Sequence, residues 1–258
     1  MTKNTLESFE KTRLAGSIAS GALDEVANLI KPGITTNQID DLCYKFINDC
    51  GAFSAPLYYR GFPKSCCTSS NHVVCHGVPS EKFLKEGDIV NVDVTAYKDD
   101  WHGDTSRMFY VGEVSVKAKK LVETTYNSMM KAINSINKNS TVGDLGACIQ
   151  KHVEAQGFSV VRDFCGHGIG KRFHQMPNIL HYGKKGSGEK LTEGMIFTVE
   201  PMINEGLFET KTLNDGWTAV TKDKKLSAQF EHTVGITSDG YEIFTSSKKD
   251  LNFPPYKS

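Results

Sequence analysis

The chain of 258 residues holds no apolar run of about 18 residues, so nothing in it reads as a membrane span. It has no net charge, with 30 Lys and Arg against 30 Asp and Glu. That balance argues against a strongly basic nucleic-acid binder and against an acidic solvating tail. There is no CxxC pair, and the cysteines (Cys43, Cys50, Cys66, Cys67, Cys75, Cys148 and Cys165) are odd in number. A thiolate zinc site is therefore not expected, and the set reads as reduced, mostly buried thiols. The N-terminal stretch MTKNTLESFEKTRLAG lacks the apolar core of a signal peptide, which points to the cytosol. GHGIG is not embedded in a GxGxxG or Walker pattern, so nucleotide binding is set aside. A hydrophobic share of 39% and a charged share of 23% exclude disorder for the bulk of the chain. No Pro/Gly/Ser linker divides it.

What is present is a layout used twice. Ile39, Leu42, Cys43, Phe46 and Ile47 recur at helical spacing, with Thr35 and Gln38 as a capping box and Gly51 at the end. Leu145, Cys148, Ile149 and Val153 follow Thr141 and end at Gly157. LKEGDIVNVDV (84–94) matches LTEGMIFTVEP (191–201) without a gap, setting Asp93 opposite Glu200. VCHGV resembles CGHGI, setting His76 against His167. Two copies do not make a solenoid. The expectation is one domain over residues 1–258, with an internal pseudo-repeat at about 33–110 and 139–237 and no separate N-terminal domain. Residues 115–135 read as an amphipathic helix, and the polar tail with its Pro-Pro as mobile at its tip.

Strand side chains alternate faces. Val90, Val92 and Val94 share one face, and Asn91, Asp93 and Thr95 share the other. Thr198 and Glu200 likewise oppose Phe197 and Val199. A solvated sheet face is the plain reading of each. HGDTSRMF adds Asp104, AQFEHTVGI adds Glu231, and CGHGIG places His167 between glycines that leave a ring room to enter a cleft. Four carboxylates in one pocket cannot all ionise without counter-charge. Two divalent cations would supply it, and an Asp, Asp, Glu, Glu, His set suits Mn, Fe, Co or Zn.

NVDVT, HGDTS, CGHGIG, FTVEP and AQFEHT, in this order, resemble the type I methionine aminopeptidases from about residue 5 to 245. The resemblance implies an α/β (α+β) pita-bread fold: two pseudo-two-fold-related halves, with an antiparallel sheet covered by helices around a dinuclear metal site. It implies Asp93, Asp104, His167, Glu200 and Glu231 as metal ligands. His76 matches a histidine near the scissile amide, and His174, in KRFHQMP, one that hydrogen-bonds the peptide carbonyl. Tyr59, Phe62, Cys67, Phe173 and Trp217 match the methionine pocket, with core packing as the plainer alternative for each. Pro56 stands where related enzymes can carry cysteine. Asn71, Val73 and Ser227 match a monovalent-cation site. The other histidines have plain readings: His102 as an ordinary histidine, with a partner of Asp104 as the lesser alternative, His232 on the strand face opposite Glu231, and His72, His152 and His181 as structural or exposed.

The function so implied is removal of the initiator methionine from peptides and nascent proteins with a small second residue. A metal-bridging water would be the nucleophile and Glu200 the proton shuttle. Further implications are a transient ribosome contact, a monomeric state, and no direct nucleic-acid or membrane role. The weaker readings are a proline-specific pita-bread peptidase, which usually carries an extra N-terminal domain, and a non-catalytic binding protein, which should lack ligands.

Overall fold

The computed structural model describes residues 2–256. Among these, the α-helices are α1 (Lys3–Leu29), α2 (Thr36–Asp49), α3 (Val116–Asn134) and α4 (Val142–Ala155). Both predicted helices that flank the repeat start in the same way. Thr35 and Gln38 close a capping box on α2, and Thr141 and Asp144 close one on α4. Two of the otherwise unpaired amides at each helix start are thereby satisfied. Thr35 then bridges to Phe83, and Thr141 to Lys190. The Leu84 amide donates to Ile34 O (2.8 Å), and the Leu191 amide to Ser140 O (2.9 Å). The Gly87 amide donates to Val111 O (2.8 Å), and the Gly194 amide to Ile236 O (2.9 Å). The same run of contacts thus occurs twice along the chain.

All strand pairings are antiparallel. In the first half, Ile89–Lys98 is central. It pairs with Trp101–Tyr110 along one edge and with Cys67–Ser70 and Phe53–Ser54 along the other. The hairpin turn is Asp99–Asp100, both at positive φ (49° and 68°), as a tight two-residue turn between twisted strands requires. In the second half, five strands run in the spatial order Tyr241–Ile243, His232–Ile236, Ile196–Val199, Gly166–Gly168, Gln175–Ile179. The Ser106–Glu231 bridge joins the two sheets.

Each half has its own apolar core. Leu23, Val26, Ile39 and Ile47 of α1 and α2 pack on Val90, Val92 and Val94. Leu121, Met129, Leu145 and Ile149 of α3 and α4 pack on Phe197, Val199 and Val234. Full burial of each such side chain contributes about 1.5–3 kcal/mol. Helix α1 crosses the Trp101–Tyr110 strand at Gly16 and Gly103, where a Cβ on either would strike backbone.

The face carrying Asn91 and Thr95 is not solvated: they are 2% and 1% exposed, with Asn91 Nδ2 donating to Gln229 O (2.8 Å) and Thr95 Oγ1 to Asp104 Oδ1 (2.7 Å). The C-terminal tail is docked as far as Tyr256, whose hydroxyl donates to Met108 O (2.8 Å) and whose ring packs on Phe109. The tip, residues 257–258, lies outside the described residues. Among the described residues no helix is long and apolar enough to cross a membrane.

Candidate metal centre and substrate pocket

The strand register sets the first two carboxylates. Asp93 pairs with Ser106, and Asp104 pairs with Thr95 two positions along. Asp93 and Asp104 are therefore diagonal neighbours on one face. Glu200 stands just past the end of Ile196–Val199, and Pro201, which has no N–H, follows it. Glu231 falls in the break between Ser227–Gln229 and His232–Ile236, at the inter-sheet bridge. His167 lies on the short strand Gly166–Gly168. The flanking glycines answer a need other than the predicted cleft: a Cβ at Gly166 would strike Thr198 O, and one at Gly168 would strike Met176 O.

These five side chains line one cavity. Ligand atoms of Asp104, His167 and Glu231 lie within 4.8 Å of one another. His167 Nε2 is 3.8 Å from Asp104 Oδ2 and 3.6 Å from Glu200 Oε1. Among the described residues no Lys or Arg pairs with any of the four carboxylates. Uncharged groups donate to them: Thr95 Oγ1 to Asp104 (2.7 Å), Thr198 Oγ1 to Glu200 (2.6 Å) and Gln229 Nε2 to Glu200 (3.4 Å).

The electrostatics follow. Burial, then the charge of Glu200, raises the Asp93 pKa to about 7. Burial, then Asp104, raises that of Glu200 to about 8, against the opposing Thr198 hydrogen bond. Burial and mutual repulsion hold Asp104 and Glu231 well above the usual carboxylate range. Burial lowers His167 to about 4, so its ring is neutral. Its Nδ1 is 3.1 Å from Gly168 O, an acceptor, which fixes the proton there. The Nε2 lone pair then faces carboxylate oxygens, an arrangement that suits cations lying between them. The donor set, oxygen-rich with one imidazole, fits Mn, Fe, Co or Zn.

Beside these five, the residues matched to the substrate histidines and the methionine pocket line the same cavity: Tyr59, Phe62, Cys67, His76, Phe173, His174 and Trp217. Phe62 and Trp217 meet edge to face at 5.2 Å. His174 Nδ1 is 3.0 Å from Tyr59 Oη, and its ring centroid lies 4.2 Å from that of His167. His76 sits at φ 55°, a left-handed backbone that a non-glycine residue adopts at a cost of about 1–3 kcal/mol. Pro56 lines the cavity too. Asn71 and Ser227 are adjacent, the Ser227 amide donating to Asn71 O (2.8 Å), while Val73 lies on the strand paired with Ala219–Thr221. His102 is buried and its Nδ1 is 2.7 Å from Gly170 O. His72 is half-buried, His152 Nδ1 meets Lys131 at 2.9 Å, and His232 is buried against Thr245.

His181 was read as structural or exposed and has a sharper place. It is fully buried, and its Nε2 accepts the Glu200 amide (3.1 Å). In the first half the ladder surrounds Asp93; in the second, an imidazole supplies the acceptor where the strand has ended. The only sequence signal for it is Pro201, which announces the end of the ladder.

The profile of metallopeptidase family M24 matches residues 10–238. The chain belongs to this family. Within M24 it is 55% identical over 254 residues to the methionine aminopeptidase of Rickettsia prowazekii (strain Madrid E), covering 98% of each chain. The crystal structure of the methionine aminopeptidase from Thermotoga maritima superposes with a TM-score of 0.92 at 40% identity, covering 95% of this chain and 98% of that one. The prolidase from Pyrococcus furiosus shares the fold with a TM-score of 0.75 at 23% identity, and this chain covers 65% of its length. The M24 pita-bread fold is thus common to both, and sequence identity separates them.

Proposed function

We propose that this chain is a dinuclear metallo-aminopeptidase that removes N-terminal methionine from peptides and nascent proteins. Supporting the reading is a single cavity that joins Asp93, Asp104, His167, Glu200 and Glu231 to an apolar wall of Phe62, Cys67 and Trp217. We read residues 1–258 as one catalytic domain with a pseudo-repeat at about 33–110 and 139–237. All its candidate site residues come from one chain, so a monomer suffices.

Two divalent cations held by the five ligands would acidify a water and polarise a carbonyl. The chain's own groups do the rest. An unbranched thioether fits against Phe62, Trp217 and Cys67, where sulfur–aromatic contact is favourable. His174 Nδ1 lies 3.0 Å from Tyr59 Oη, and with that hydroxyl donating, the imidazole proton sits on Nε2. That N–H donates to the scissile carbonyl oxygen. Glu200 takes a proton from the attacking water at a carboxylate oxygen and gives it to the leaving amine. His76 holds the amide in register. A small second residue is required because the rings of Tyr59, Phe173 and His174 crowd the approach.

The cysteines are free, which fits a reducing compartment such as the cytosol. Nascent substrates would bring a transient ribosome encounter. The Asn71 and Val73 carbonyls with Ser227 are candidate ligands for a monovalent cation.

The test is turnover by chelated enzyme titrated with Mn, Fe, Co or Zn. A peptide starting Met-Ala should release methionine in a metal-dependent way. One starting Ala-Pro should not be cut. Cleavage before proline would move the chain to the proline-specific branch; inertness with every metal would favour a binding protein.

A further inference from the structure

We propose that the groove beyond His174 is the downstream subsite of the substrate, and that Lys171 and Arg172 make it favour acidic residues there. This deepens the reading above and rests on it. The groove has a volume of about 460 Å³ and shares Tyr59, Phe173 and His174 with the metal cavity. The two spaces therefore adjoin at the side chains that would frame the scissile carbonyl. A substrate whose methionine fills the apolar wall, and whose carbonyl meets His174, has its remaining chain at this junction. Each extended residue advances the chain by about 3.3 Å, so the third and later residues reach the groove.

Its lining fits an extended acidic segment. Phe53 and Tyr97 are cross-strand partners and present two aromatic rings. Phe53 is 68% exposed, a large apolar ring with little of this chain over it. Lys171 and Arg172 are exposed and, among the described residues, make no ion pair. No carboxylate lines the groove; Asp100, near its edge, accepts from Tyr97 Oη at 2.9 Å. Arg60 adds a third cation over the Tyr59 ring at 5.4 Å. The metal cavity is anionic and this exit is cationic. Charge at such an open rim governs encounter and selection more than tight binding.

The experiment compares kcat/KM for Met-Ala-Ser-Glu-Glu amide and Met-Ala-Ser-Lys-Lys amide on metal-loaded enzyme. Met-Ala-Ser amide, too short to fill the groove, is the reference for each enzyme. The acidic peptide should be preferred by about five- to tenfold at low ionic strength, and the preference should shrink toward one near ~0.5 M salt. K171E/R172E should invert it, and the milder K171Q/R172Q should bring it close to one. Equal rates for both peptides, a preference untouched by salt, or one that survives in both variants would overturn the proposal. Failure to release methionine even from Met-Ala-Ser amide would instead overturn the aminopeptidase reading.

Discussion

Asp104 and Arg107 stand three residues apart on one strand and point to opposite faces. Both are buried, at 4% and 1% exposure. Arg107 is answered within the chain: Nη1 donates to Asp24 Oδ1 of α1 at 2.6 Å, and Nη2 to Ser20 O at 3.2 Å. Asp104 is answered by nothing of opposite charge. Its neighbours Asp93, Glu200 and Glu231 are more carboxylates, and burial, then the charge of Asp93, raises its pKa. A buried charge requires a partner, and repulsion adds to the desolvation cost when the neighbours share its sign. One face of the strand is thus electrostatically complete, and the other is completed from outside the protein. That difference separates a structural ion pair from a site that takes cations.

The same chemical change on the two faces should therefore have opposite consequences. Glu200→Gln removes the proposed proton carrier and some of the crowding. Methionine release should fall by about 10²–10⁴-fold, while the thermal midpoint of the metal-free protein holds or rises. Asp24→Asn leaves the Arg107 guanidinium buried without its counter-charge and should cost about 3–5 kcal/mol in urea unfolding. Residual turnover per folded molecule should change little. A destabilised Glu200→Gln, or an Asp24→Asn that loses turnover at full stability, would break the comparison.

Removing the metal sharpens it with pH. The carboxylates of Asp93 and Glu200 have folded pKa values raised to about 7 and about 8. The folded state then holds protons that the unfolded chain releases near pH 4, so their contribution to stability is lost as pH rises from about 4 through 8. Buried neutral histidines act the other way. His167 is lowered to about 4, and His181 and His232 to about 3, all mainly by burial. Their contribution is present above about pH 6.5 and is lost as pH falls toward those values. Metal-free protein should therefore be most stable near pH 6, with a midpoint lower by about 5–10 °C at pH 8. Loading a divalent cation should flatten the alkaline side alone. Differential scanning calorimetry with and without chelator reads this directly; an unchanged alkaline limb on loading would sever the carboxylates from the metal.

Much of this face was legible because its signals are local. Alternation put Asp93 opposite Val92 and Val94, and the distance to Asp104 matched a hairpin. The capping pair Thr35 and Gln38 announced α2, and the helical spacing after Thr141 announced α4. The Arg107–Asp24 pair was not legible: the two residues lie 83 positions apart, and no pattern around either marks the other. The burial of Asn91 was hidden for the same reason, since its Nδ2 donates to Gln229 O, 138 positions away. His181 depends on where the ladder breaks after Val199, which residue types alone do not locate. The glycines around His167 were legible as functional but for another cause, since close strand approach rather than cleft space excludes a Cβ there.

The smallest expected effect tests how finely the open face is tuned. Thr95 donates to Asp104 Oδ1 at 2.7 Å, a bond that opposes the upward push on that carboxyl. Thr95→Val keeps the shape and removes the donor. The upward push on Asp104 is then less opposed, and a cation competes harder with its proton. Metal affinity should fall by about 10–100-fold, the usual cost of losing a group that orients a ligand. The loss should narrow between pH 7 and pH 9, because the proton competes less as pH rises. Isothermal titration at both values decides the matter. An equal loss at the two values would assign Thr95 to ligand geometry alone, and an unchanged affinity would show that the open face, unlike the Arg107 face, does not depend on its neutral donors.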